Sequence, residues 1–203
     1  MALTPPAPGD VSRRFVILHG WQNERPIGHW QWWLAERLTE RGHEVVYPQL
    51  PNPGRPALKE WLEVIEASLD RDHADELVVI AHSLSCAAWI QLAGIGSVRL
   101  PVDRLALVAP PSPKFLAETP ELREFSFADG AHEAVPATSI AATRLVCAVD
   151  DPYCDPPASV LYGDKFDVDV IPGGSHLDMV AGYGRWQSAL RWCEDGSRRF
   201  MTD

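Results

Sequence analysis

Six short β-rich runs, each followed by a helical pattern or a loop, constrain the fold of this chain more than any other feature. They cover residues 14–18, 44–47, 77–81, 105–108, 144–149 and 167–171. Several are apolar without polar alternation, as in Leu77-Val78-Val79-Ile80. A strand of that kind has both faces covered, the condition of a parallel sheet enclosed by helices. Between the runs, residues 29–41 place Trp30, Trp33, Leu34 and Leu38 on one stripe and stop at Gly42. Residues 56–69 do the same with Leu58, Trp61, Leu62, Ile65 and Leu69, and Pro56 suits a first turn. Residues 185–193 read as a last helix. With no repeat and no heptad pattern, this alternation predicts one α/β domain over residues 13–203, preceded by a flexible Pro- and Ala-rich lead over residues 1–12.

At 203 residues the chain is long enough to bury about 70 % of its unfolded surface in one core. Its net charge of −10 disfavours nucleic acid and anionic membrane surfaces, and points to a neutral or weakly polar small molecule as partner. No apolar run approaches the roughly 20 residues that cross a bilayer, and the first residues lack the apolar stretch of a secretion signal. The four cysteines show neither metal spacing nor disulfide density, and Cys86 and Cys147 lie in apolar runs as buried reduced thiols. The expected location is therefore the cytoplasm. His29, His43, His73 and His132 are too dispersed for a metal site, so neither metal nor cofactor is expected.

In an open parallel sheet, ligands bind beyond the carboxyl ends of the strands, so the residues after each run carry the functional signal. The third run passes directly into Ala81-His82-Ser83-Leu84-Ser85. A serine on a sharp strand-to-helix turn, with small residues two positions to either side, has the form of a nucleophile elbow. The first run is followed by His19-Gly20-Trp21-Gln22, the fifth by Asp150-Asp151-Pro152, and the sixth by Gly173-Gly174-Ser175-His176. Serine, acid and histidine thus occur in the order Ser83, Asp151, His176, which is the order of α/β-hydrolases.

The residue types suit the chemistry. A serine hydroxyl is a poor nucleophile until an imidazole takes its proton, and a buried carboxylate must orient that imidazole. The amides of Trp21 and Leu84 are candidate oxyanion donors, and Gln22 is a candidate substrate contact. Asp151 suits the acid, three residues beyond Ala148 with Pro152 behind it, and Asp150 stays open as the alternative. Ser83 also has a plain reading as a helix N-cap, and His176 as a surface-loop residue. His82 is expected to pack at the strand end, facing away from Ser83, and His19 to pack beneath the oxyanion turn.

With these residues in hand, the chain resembles the small serine hydrolases of the retinoblastoma-binding protein 9 family, also called YdeN-like. The resemblance runs from Val16 to Trp192. Its carriers are Leu18-His19-Gly20-Trp21, His29-Trp30, Trp33-Leu34, Pro51-Asn52-Pro53 with Pro56 and Trp61-Leu62, Ala81-His82-Ser83-Leu84, Asp150-Asp151 and Gly174-Ser175-His176. It implies a three-layer α/β/α sandwich of the α/β-hydrolase fold, with strand order 2-1-3-4-5-6. It also implies Ser83 as nucleophile, Asp151 as acid and His176 as base. The chain departs from the usual elbow in having Ser85 where glycine is common, and Ser175 stands where a second glycine is expected.

The sequence therefore predicts a cofactor-free serine hydrolase of small carboxylic esters or related acyl bonds. The alternative from another class is a non-catalytic protein- or ligand-binding member of the same fold, since fold does not dictate function. A thioesterase or acyl-transferase accessory would share the acyl-enzyme. Residues 111–136 depart from the strand–helix rhythm and read either as a short lid or as a covering helix with irregular ends.

Overall fold

The computed structural model describes residues 11–70, 74–98 and 101–203. The expected lead lies outside the described residues as far as residue 10, as does His73. Ser12 is already tied to the body of the protein: its amide donates to the Asp75 carboxylate at 3.0 Å.

The strands are β1 (Arg13–Leu18), β2 (Glu44–Val46), β3 (Glu76–His82), β4 (Arg104–Val108), β5 (Arg144–Cys147) and β6 (Asp167–Val170). All neighbours pair in parallel in the order β2-β1-β3-β4-β5-β6. The register Leu18↔Ala81 and His82↔Val108 brings the carboxyl ends of three strands to one edge. β5 stops two residues short of the expected 149. Past Cys147 the chain turns out of the ladder, and Ala148 is buried beneath the loop of Gly174.

Strand periodicity separates two cores. Val16, Leu18, Leu77, Val79, Ala81, Leu105 and Leu107 face helices α2 (Leu58–Ser68), α3 (Leu84–Gly94) and α5 (Ala158–Leu161). Phe15, Ile17, Val78, Ile80, Ala106 and Val108 face α1 (Trp30–Glu40) and α6 (Gln187–Glu194). Alternate side chains of one strand therefore serve opposite layers, which is why the runs carry no polar alternation. Pro56 lies outside α2, because Ala57 is its N-cap, so it ends the preceding loop instead of opening the helix. α6 begins later than residue 185 because the Asp203 carboxylate accepts the amides of Gln187 and Ser188 and fixes its first turn there.

Residues 111–136 fold as α4 (Pro113–Glu118), capped by Ser112, followed by 3-10 turns over Pro120–Phe125 and Ala131–Thr138. Leu116, Leu122, Phe125 and Val135 are buried in the core on the α3 side. All four cysteines are free and buried. Among the described residues, no helix is long and apolar enough to cross a membrane.

Candidate active site

β3 delivers Ser83 at the sheet's carboxyl edge with φ 57 and ψ −121, a left-handed conformation costly for a residue with a Cβ. Its amide donates to the Val108 carbonyl at 2.9 Å, which anchors the turn to β4. The Ser83 hydroxyl makes no capping bond to α3, so it is free for another partner. Ser85, at the position where glycine is common, is buried and donates its hydroxyl to the His19 carbonyl, tying the start of α3 to the end of β1. Gly20 lies directly against the serine: a Cβ added there would meet Ser83 Cβ at 2.7 Å and Oγ at 3.0 Å. Gly20→Ala is expected to displace the hydroxyl and lower hydrolase turnover by about 100-fold or more, with a small change in melting temperature. Initial-rate kinetics beside a thermal melt checks this, and full activity would show that the close approach is dispensable.

His176 reaches Ser83 from the loop after β6, with Nε2 2.8 Å from Oγ. Its Nδ1 lies 2.9 Å and 3.0 Å from the two carboxylate oxygens of Asp151. A carboxylate only accepts, so the ring proton sits on Nδ1, and Nε2 is left to accept from the serine. Asp151 is 6 % exposed and also accepts the Tyr153 amide at 2.9 Å. The neighbouring Asp150 is exposed and accepts the Ser175 amide at 3.2 Å, away from the imidazole. Of the two adjacent acids, Asp151 is the one that meets His176. Ser175 and Leu177, on either side of the histidine, are both left-handed at φ 47 and 51.

The turn after β1 is pinned at successive groups. His19 is fully buried, and its Nε2 receives the Leu50 amide at 2.8 Å and the Gln49 side-chain amide at 3.0 Å. Its Nδ1–H therefore donates to the Gly20 carbonyl at 2.9 Å. A trans peptide directs its N–H opposite to its carbonyl, so this bond turns the Trp21 amide the other way. Gln22 donates its own amide to the Pro53 carbonyl at 2.9 Å. The amides of Trp21 and Leu84 have no partner among the described residues.

These groups open on a cleft of about 180 Å³, lined by Trp21, Gln22, Ser83 and His176 and walled by His29, His82 and Asp178. Gly20, Asn23, Pro26, Met179 and Val180 complete it. Asn23, Pro26, Asp178, Met179 and Val180 carry no sequence signal, because their approach depends on loop geometry. No residue of the 111–136 segment is among those lining it. Among the described residues, no group of three His, Cys, Asp or Glu side chains is placed to hold a metal ion.

The histidines around the cleft are held neutral. Burial, opposed by the Gly20 carbonyl and helped by Arg25, lowers His19 to about 4. Burial likewise lowers His29 to about 4, against the pull of Asp178 and with the repulsion of His19 and His176. Burial puts His82 well below the usual imidazole range. An unfolded chain protonates all three near pH 6.5; in the folded one His19 and His29 protonate only near 4, and His82 is likewise held well below 6.5. The unfolded state thus binds more protons between these values, and stability falls as pH drops through that window and is level above it. Urea midpoints at pH 7.5, 6, 5 and 4 should decline below about 6.5; a constant midpoint to pH 4 would contradict this account.

A six-stranded parallel sheet in this order, bearing a serine on a strained strand-to-helix turn at its carboxyl edge, defines an α/β-hydrolase fold. The chain belongs to the Serine hydrolase family, which matches residues 15–194. It is 30% identical over 81 residues to the hydrolase YdeN of Bacillus subtilis, a match covering 40% of this chain and 42% of that protein. The sequence match thus spans less than half the length of the curated relative. The crystal structure of the B. subtilis ydeN product superposes with a TM-score of 0.66 at 21% identity, covering 90% of this chain and 97% of that one. A YdeN-like hydrolase of Pectobacterium atrosepticum gives 0.64 at 18% identity, covering 90% of each chain.

Proposed function

We propose that this serine hydrolase cleaves small carboxylic esters or related acyl bonds through an acyl-enzyme on Ser83. The observation that carries the reading is the unbroken series of bonds from Ser83 Oγ through His176 to Asp151, at 2.8 Å and 2.9 Å. His176 Nε2 takes the hydroxyl proton as Oγ attacks the acyl carbon. Asp151 holds the ring in the tautomer that permits this and stabilises the imidazolium formed. The carbonyl oxygen becomes an oxyanion facing the amides of Trp21 and Leu84, the second at the positive end of α3. His176 then gives its proton to the leaving alcohol. Water, deprotonated by the same nitrogen, attacks the acyl carbon and releases the acid and the serine. Every proton removed is returned, so the cycle needs no cofactor.

The cleft's size favours a small acyl group: about 180 Å³ lies below the roughly 300–1,000 Å³ of pockets that enclose drug-sized ligands. Two measurements test the proposal. A fluorophosphonate probe should label Ser83 covalently and fail on Ser83→Ala. A p-nitrophenyl ester series should give its highest kcat/KM at acetate or butyrate and decline toward long chains. A folded protein that takes no label would favour the binding-protein alternative, and a maximum at long chains would reject the small acyl site.

A further inference from the structure

The loop that carries His176 is gripped by two buried ring N–H groups that the hydrolytic cycle does not use. His82, the last residue of β3, lies 3.1 Å through Nε2 from the main-chain carbonyl of His176. Trp30, the first residue of α1, donates Nε1–H to the next carbonyl along, that of Leu177, at 2.8 Å. The two donors support each other: their rings meet edge to face, with centroids 5.6 Å apart, and both residues are buried. His29, the N-cap of α1, packs on both rings, with centroids 5.7 Å from those of His82 and Trp30.

We propose that His82 and Trp30 are positioning residues for the base: by holding two successive carbonyls, they fix the His176 loop against the elbow that presents Ser83. This rests on the reading of His176 as the base of Ser83. Three features support it. A carbonyl oxygen only accepts, so the His82 proton must sit on Nε2, and its buried Nδ1 has no partner among the described residues. That tautomer makes the ring a fixed donor. Second, the gripped segment is strained: Leu177 is left-handed at φ 51, a conformation that persists where surrounding contacts over-determine it. Third, the His82 ring lies 5.2 Å from that of His176, and burial keeps it uncharged, so no neighbouring cation opposes the imidazolium formed during reaction. Two consecutive residues, His82 and Ser83, thus supply half of the clamp on the base and the nucleophile itself.

The test compares His82→Met and Trp30→Phe, which remove one donor each, with His82→Gln, whose terminal amide reaches about as far as Nε2. Two readouts are taken: p-nitrophenyl acetate kinetics, and the low-field proton resonance of His176 Nδ1 shared with Asp151, which requires no turnover. The removal variants should lower kcat by about 10- to 100-fold with KM altered less than about threefold, and their resonance should broaden by exchange. His82→Gln should keep both close to wild type. If His82→Met does not fold, His82→Asn, whose amide is too short to reach the carbonyl, takes its place. Wild-type kinetics and resonance in His82→Met, or a His82→Gln as impaired as His82→Met, would overturn the proposal. A wild-type protein inert toward esters would defeat the ester reading alone, because the resonance still reports whether the loop is held.

Discussion

Ser83→Ala is expected to lower kcat for p-nitrophenyl acetate by roughly five to six orders of magnitude, and His176→Ala by a similar factor. The double variant should be hardly worse than either. In the proposed mechanism the hydroxyl and the imidazole, 2.8 Å apart, act as one unit: with Oγ gone, His176 Nε2 has no proton to take, and without the ring the hydroxyl stays a neutral alcohol. What survives is the contribution of the oxyanion donors and of substrate binding. The fold should tolerate the change. Ser83 forms no capping bond, its turn is held by its own amide on Val108, and alanine meets the same φ 57 restriction that serine already bears. Single-turnover kinetics with a coincident thermal melt checks both halves. Activity within tenfold of wild type in a folded Ser83→Ala would remove Ser83 as nucleophile.

The parts legible in the sequence are those that local chemistry dictates. β3 reads as a doubly covered strand because Leu77 to Ile80 are apolar on both faces, and the turn after it reads from Ala81, Ser83 and Ser85 together. The strand order is implied by the family resemblance alone, since no residue in β2 or β6 encodes its neighbour. The cleft wall was not legible. Asp178, Met179 and Val180 reach it because Ser175 and Leu177 turn left-handed without being glycine, which no propensity predicts. Gly174 is read in the sequence only as part of the loop before His176; that a Cβ there would meet Leu177 Cδ2 at 2.7 Å and Ala148 Cβ at 3.2 Å is a tertiary fact. Ser85 was legible as a small residue, but its bond to the His19 carbonyl is a tertiary fact. The sequence places His82 at the strand end facing away from Ser83; in the fold its ring lies beside that of His176 and lines the same cleft as Ser83, and its link to the His176 carbonyl spans 94 positions, beyond any local pattern.

Asp151→Asn and Asp150→Asn should separate by about three orders of magnitude or more, although the residues are adjacent and the substitutions identical. At position 151 the carboxylate accepts the Nδ1 proton of His176 from within a buried site and also holds the Tyr153 amide. An asparagine can keep the Tyr153 bond through its oxygen. Its NH₂ group, turned toward the imidazole, then donates to Nδ1 and drives the proton to Nε2, where it blocks acceptance from Ser83. Loss of the negative charge also removes what stabilises the imidazolium. The expected fall in kcat is about 10⁴-fold at neutral pH. At position 150 the side chain is exposed and holds only the Ser175 amide, a bond that an asparagine oxygen can reproduce, so kcat should stay within about threefold. Steady-state kinetics of the two variants side by side decides the assignment. Equal losses would mean that both carboxylates support the histidine loop, and a reversed order would transfer the acid's role to Asp150.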